Sequence, residues 1–489
     1  MKQSTKFCSA LWSLGLTVIA AGCSSGGSHN ATASGGTPAS GGAAASGGDA
    51  AAGGTTVVDT TVPAQPWDWS GVIGSGQSLA VGQYGTPVVS TTQPYNNLKL
   101  STGTLAWAWT DPADPTNHSV AMDPSDPQLS MVPLIEPIGR LSTNYPSSWP
   151  TNIAGETAHS SMGNQITSMV KSANGADYIS VQGEFGENGQ CLSYLIKNAQ
   201  HVATGTNAVN GRAYAATLFE TQAITNLAQK AGKTYGVGAF IMTHGECDAG
   251  NTSYESQLYQ LLTDYNTDIK AITGQTQPIQ MIISQQNSIN DSATSTLAAW
   301  QIGVDHPTDV VCSGPKYQYA YYTDGVHLVT EGYRQLGEKY GQVYYERMVQ
   351  GRNWQPLQPT SVERSGQVIT VHFHVPVPPL VWDTTFPDPH TDLPAWQAGK
   401  GFEVRATSGN ITINSVEISG DSVQVTCDGT LPASSLIVGY AMIQNAAAMT
   451  TPHSGTLRWG LLRDSDPFVG AMTQLPQPNW SVAFEMAVP

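Results

Sequence analysis

Val72-Ile73-Gly74-Ser75-Gly76-Gln77-Ser78 is a short apolar run that breaks into glycines and delivers a hydroxyl. A buried strand ending in small residues and a serine is how an open α/β sheet presents a nucleophile, because such sheets carry their chemistry at the carboxyl ends of the strands. Alone, the string reads more readily as an ordinary turn. Its weight comes from Asp324-Gly325-Val326-His327, at the far end of the same region. An aspartate three residues before a histidine can fold back in one turn and take the Nδ1 hydrogen. Nε2 is then free to accept a proton from a serine. Ser78, His327 and Asp324 are the candidate nucleophile, base and orienting acid.

Outward from Ser78, strand-like and helix-like stretches alternate as far as Gly351. Asp177 to Val181, Gly236 to Met242, Ile279 to Ser284 and Asp309 to Cys312 are short β-favouring runs. Helical periods fill the gaps at Ser160 to Ser172, Tyr214 to Ala231, Tyr254 to Ile272, Ala293 to Ile302 and Thr330 to Val349, the last with Thr330 as its N-cap. With the strand before Ser78, this predicts a mostly parallel, five-stranded α/β/α three-layer domain over residues 66–351. Residues 85 to 155 break the rhythm with Pro, Asn, Thr and Trp, and read as a long excursion near the site's rim carrying Trp107, Trp109 and Trp149. Beyond 351 the runs are short, alternating and separated by prolines, which predicts a smaller all-β sandwich domain over 352–489. Its tryptophans 354, 382, 396, 459 and 480 read as packing residues first and sugar platforms second.

The amino terminus points to export. Lys2 and Lys6 precede an apolar run from Leu11 to Ala21, too short to span as a mature helix, and Ala20-Ala21-Gly22-Cys23 resembles a bacterial lipoprotein cleavage box. Residues 1–22 are thus expected to be a signal peptide and Cys23 a lipidation site at the cell surface or outer membrane; the alternative, since Ala20 stands where the box usually has leucine, is ordinary signal-peptide cleavage and secretion. Residues 23–65 are Gly, Ala, Ser and Thr with almost no large side chain, which predicts a flexible tether. Lys+Arg number 20 against 36 Asp+Glu, for a net charge of −16, so the surface repels nucleic acid. Cys191, Cys247, Cys312 and Cys427 allow three disulfide pairings, and the sequence does not choose among them. No spacing suggests a metal site, and no cofactor is expected; His372 and His374 read as a packed or solvated pair.

Acyl chemistry also needs donors aimed at a developing oxyanion. Gln182 to Leu192, rich in glycine, and Thr243-His244-Gly245-Glu246-Cys247-Asp248 each follow a predicted strand and offer them. Taken together, Gly76-Gln77-Ser78, Gly189 with Cys191-Leu192, His244 to Asp248, and Asp324 to His327 with Gly332-Tyr333 resemble the SGNH (GDSL-like) hydrolase superfamily, in its sialate O-acetylesterase-like, carbohydrate-esterase branch. The resemblance covers roughly residues 70 to 350. It implies Ser78 as nucleophile, His327 as base, Asp324 as its partner, and an oxyanion hole from the Ser78 and Gly189 amides with His244. The chain departs from the family pattern at Leu79, where the branch usually has asparagine, and at His244, where it has glutamine. No Gly-x-Ser-x-Gly elbow is present, which argues against an α/β-hydrolase. The function expected is a cofactor-free serine esterase removing acetyl or similar small acyl groups from carbohydrate. The alternatives are a lipid or aryl esterase of the same fold and a non-catalytic glycan-binding surface lipoprotein.

Overall fold

The computed structural model describes residues 67–101, 123–127, 129–139, 153–202, 208–210, 212–288, 292–444 and 457–489. The signal peptide, Cys23, the tether, and Trp107, Trp109 and Trp149 lie outside the described residues. In chain order the first strands are β1 (Trp69–Gly76), β2 (Leu98–Leu100), β3 (Met131–Pro133), β4 (Ser180–Glu184), the hairpin pair β5 (Gln200–Val202) and β6 (Ala208–Asn210), β7 (Tyr235–Thr243), β8 (Gln280–Ile283) and β9 (Val310–Cys312). Apart from the hairpin they form one sheet in the order β3-β2-β4-β1-β7-β8-β9. The strand that leads to Ser78 is therefore the middle one, and all eight of its residues are buried.

The sheet has seven strands where the sequence predicts five. The parallel strands β1, β4, β7, β8 and β9 are the expected set. The two extra strands come from the excursion between residues 85 and 155: β2 joins β4 in parallel and β3 runs antiparallel to β2. Each is three residues long, Leu-Lys-Leu and Met-Val-Pro, too short for an alternating pattern to register.

Period-two alternation sends successive side chains of the central strands into two separate cores. Ile73, Phe240, Met242, Met281 and Ile283 face one core, shared with helices α2 (Arg212–Lys230) and α3 (Tyr254–Thr273). Val72, Ala239, Ile241 and Ile282 face the other, shared with α1 (Ala158–Asn174) and α5 (Thr330–Tyr344). Helix α4 (Thr294–Asp305) divides its allegiance, with Ala299 and Ile302 in the first core and Trp300 turned to the C-terminal region. At α5 the cap position belongs to Val329, not Thr330; the Thr330 hydroxyl donates to the Pro87 carbonyl at 2.9 Å.

The C-terminal strands are β10 (Gln358–Ser365), β11 (Val368–His374), β12 (Val381–Trp382), β13 (Phe402–Ala406), β14 (Gly409–Ile411), β15 (Ile413–Ser419), β16 (Ser422–Cys427), β17 (Leu436–Tyr440), β18 (Leu462–Arg463) and β19 (Phe484–Val488). Two four-stranded antiparallel sheets, β10-β11-β16-β15 and β14-β13-β17-β19, share one core. Trp396, Trp459 and Trp480 are buried in it, in keeping with packing. This region also grips the α/β part. Buried Glu338 of α5 accepts from the Met472 and Thr473 amides at 2.6 and 2.7 Å and from Gln477 Nε2 at 2.7 Å. Gln285, just past β8, exchanges two 2.8 Å hydrogen bonds with the Ala483 backbone.

Candidate active site

Ser78 stands two residues beyond β1, in a turn closed by Ala80 N–H on the Gln77 carbonyl at 2.8 Å and Gln83 N–H on the Ser78 carbonyl at 2.9 Å. Gly76 is required there, because its φ is +153° and a Cβ would drive into the Thr243 carbonyl of the neighbouring strand. The residues after β9 bring Asp324 and His327 across the sheet to meet it. Ser78 Oγ–H donates to His327 Nε2 at 2.7 Å, and His327 Nδ1–H donates to Asp324 Oδ2 at 2.6 Å. Asp324 Oδ1 accepts the Val326 and His327 amides, each at 3.0 Å. Partial burial pushes the Asp324 carboxyl up, but the His327 ring and these two amides outweigh it and hold it below its ordinary value. The acid therefore stays ionised and keeps the imidazole in the tautomer whose Nε2 can accept.

The two loops expected to offer oxyanion donors emerge from β4 and β7, on either side of β1. The chain beyond β4 continues along the end of β1, with Phe185 N–H on the Gly74 carbonyl and Glu187 N–H on the Gly76 carbonyl, both at 2.9 Å. Gly189 follows, exposed and left-handed at φ +73°, a conformation glycine adopts without penalty. Three links join this loop to the one after β7. Cys191 and Cys247 form a disulfide, which settles the pairing left open by the sequence; Cys312 and Cys427 are buried free thiols. Leu192 N–H donates to Asp248 Oδ2 at 2.7 Å. His244 Nε2 lies 3.0 Å from the Gln190 carbonyl.

That last contact decides what His244 does. A carbonyl can only accept, so Nε2 carries the hydrogen and Nδ1, 2.9 Å from the Tyr254 hydroxyl, accepts from it. The ring is fully buried, and burial lowers its pKa, outweighing the pull of Asp248, so it is neutral. Its single N–H is spent on Gln190. In this geometry His244 is not the oxyanion donor implied by the resemblance but a brace under the residue next to Gly189.

Other braces escaped sequence reading. Gln77 Oε1 accepts the Cys247 amide at 3.2 Å and its Nε2 donates to Glu246 Oε2 at 2.7 Å, while Glu246 Oε1 pairs with buried Lys316 at 3.1 Å. Gln77 thus tethers the turn that carries Ser78 to the loop beyond β7. The signal was present, since Gln77 precedes the serine and Glu246 sits in the same polar block as His244. Leu79, the other family departure, is buried against the core shared with α1 and α5. An aromatic pair lies beside His327 as well: the Tyr84 ring meets the imidazole in a T-shaped arrangement with centroids 5.2 Å apart, and stacks on Tyr322 at 4.2 Å. Nothing in their spacing marked them.

No known protein family matches the sequence, and no curated protein is similar to it. Among solved structures, a carbohydrate acetylesterase from Xanthomonas citri is similar over 85% of this chain and 80% of its own, with a TM-score of 0.51 and 12% identity. A protein from Arabidopsis thaliana is similar over 58% of this chain and 100% of its own, at a TM-score of 0.39 and 14% identity. A carbohydrate acetylesterase from Sinorhizobium meliloti is similar over 56% and 97%, at a TM-score of 0.30 and 11% identity. At such identities the first of these establishes a shared fold.

Proposed function

We propose that this chain is an SGNH-type serine esterase that removes acetyl, or a similarly small acyl group, from carbohydrate. The observation that carries the reading is the unbroken relay from Ser78 Oγ through the His327 ring to Asp324, at 2.7 and 2.6 Å. Its setting at the end of the central strand of a fold shared with the Xanthomonas citri carbohydrate acetylesterase supports the substrate class. In the reaction Ser78 Oγ attacks the ester carbonyl while its proton passes to His327 Nε2. The developing oxyanion is held by the Ser78 and Gly189 amides. His327 then returns the proton to the leaving alkoxide, the alcohol departs, and an acyl-Ser78 remains. Water deprotonated by His327 releases the carboxylic acid and restores the serine.

Export and anchoring through a lipid on Cys23 belong to the same proposal. The Cys191–Cys247 disulfide supports export, because such bonds persist in oxidising compartments. The region beyond residue 352 is proposed as an accessory part of the same enzyme. The test is acetate release from O-acetylated oligosaccharides and hydrolysis of p-nitrophenyl acetate by the wild type and Ser78→Ala. The variant is expected to lose about three orders of magnitude or more in kcat while folding normally. A fully active Ser78→Ala protein refutes the assignment.

A further inference from the structure

His327 divides the site into two sides with different chemistry. The acyl carbonyl must lie toward the Gly189 loop, where the oxyanion donors are. The alcohol must lie toward His327, because Nε2 hands its proton to the departing alkoxide. Aromatic groups beside His327 are therefore placed to meet an alcohol moiety. They are Tyr84 and Tyr322, stacked at a centroid distance of 4.2 Å and an interplanar angle of 8°, with the Tyr84 and His327 rings in a T-shaped arrangement.

Two further features set this pair apart. Tyr84 and Tyr322 are 39% and 37% exposed, and they are the only aromatics among the exposed large hydrophobic residues described. Solvent-facing aromatics exact a hydration penalty that a bound apolar surface would relieve. Tyr84 is also held at φ +63°, a left-handed conformation that a bulky side chain rarely adopts. Its turn is pinned by Gly85 N–H on the Gly82 carbonyl at 2.9 Å and Tyr333 OH on the Gln83 carbonyl at 2.7 Å. Strain kept beside a reacting centre by over-determined surroundings points to a use there.

We propose that Tyr84 and Tyr322 form the subsite for the alcohol portion of the ester, an aromatic surface on which the C–H face of a sugar ring lies while its acyl group enters between Ser78 and Gly189. The proposal rests on the carbohydrate esterase reading above. The pair governs which alcohol is accepted and leaves acyl-length preference to the opposite side.

The experiment uses the full chain with Tyr322→Ala and Tyr84→Asn, the latter because asparagine tolerates the left-handed backbone. Kinetics are measured on chemically O-acetylated xylotetraose, p-nitrophenyl acetate and p-nitrophenyl butyrate. Each variant is expected to raise KM for the oligosaccharide about five- to tenfold with a smaller effect on kcat, the size expected for losing an aromatic contact. The ratio of p-nitrophenyl acetate to butyrate turnover should stay at the wild-type value. A wild type that cleaves p-nitrophenyl acetate but no acetylated oligosaccharide refutes the carbohydrate reading and the subsite with it. A wild type active on the oligosaccharide, with variants that keep its KM, refutes the subsite alone. Equal kcat losses on all three substrates also refute it, and make the pair a prop for His327.

Discussion

Replacing Cys191 and Cys247 together by alanine removes the covalent link between the two loops that flank Ser78. The bridge closes a segment with a sequence separation of 56 residues. On the chain-entropy treatment, a loop of that size restrains the unfolded chain by about 4 kcal/mol. Spread over a folded unit of some four hundred residues, that lowers Tm by roughly 5 °C. The catalytic consequence is separate and smaller. Gly189 lies two residues before Cys191, and His244 three before Cys247, so the bridge fixes the spacing of the loop that carries Gly189, the oxyanion donor of the proposed reading. The His244–Gln190 and Leu192–Asp248 hydrogen bonds remain in the variant and still hold the loop in register. Complete loss of one oxyanion donor costs on the order of a hundredfold or more in kcat; loosening one should cost roughly tenfold. Thermal unfolding and p-nitrophenyl acetate kinetics of the double variant measure both. Burial pushes the Cys312 and Cys427 thiols up to about 12 and about 11, so neither should react with a thiol reagent in the native protein and confuse the comparison. A double variant with wild-type Tm and wild-type kcat would refute the bracing role.

His244→Leu removes the N–H that holds the Gln190 carbonyl, and should lower kcat about tenfold with KM nearly unchanged; Tyr254→Phe, which strips Nδ1 of its donor but leaves the Gln190 contact, should give a smaller loss of the same kind. Burial raises the Glu220 carboxyl to about 8, only partly countered by Lys99. Between about pH 4.5 and 8 the unfolded chain has therefore lost a proton that the folded chain keeps, so stability falls as pH rises across that window. Glu220→Gln escapes this, and its Tm should gain on the wild type between pH 5 and 8.5; a pH-independent difference would refute the assignment. A chain ending at Gly351 should aggregate or fail to fold: it removes the partners that Glu338 finds in Met472, Thr473 and Gln477 and Lys339 in Gln477 and Asn479, and it uncovers Trp300, Cys312 and Tyr317, which share a core with the deleted region. A soluble, cooperatively melting truncation would contradict that.

Much of this was legible because the α/β strands are long enough, and buried enough, to write their period into the sequence. The helices from Tyr214, Tyr254 and Thr330 and the strand from Tyr235 fall within a few residues of expectation. Ser78 and the Asp324–His327 turn were legible for a local reason, since glycine-to-serine at a strand end and an i, i+3 pair need no tertiary knowledge. What escaped is what depends on distance in space. Strands β2 and β3 exist because β4 offers an edge, not because three residues have a period. The role of His244 turns on a carbonyl 54 residues away, and the disulfide on two loops that only the sheet order brings together. The aromatic pair joins a residue six positions past Ser78 to one two positions before Asp324, a juxtaposition no spacing rule anticipates.

The two sides of Ser78 are built to different standards, and that difference has a functional meaning on the proposed reading. Toward the acyl group the loops are joined by a disulfide, by a neutral buried histidine, by the Leu192–Asp248 bond and by Gln77, which reaches Glu246 and through it Lys316. Each link removes freedom from the backbone that must meet an oxyanion, and such preorganised donors are where catalytic power resides. Toward the alcohol the wall is two exposed rings meeting face to face. Stacking is tolerant of orientation and makes few directional demands, whereas a fixed hydrogen-bonding wall rejects whatever fails to match it. A site with a rigid, cross-braced acyl side and an open aromatic alcohol side selects strictly for the group it removes and loosely for the molecule it removes it from. That division suits an enzyme that must strip one small acyl group from many positions along a variable chain.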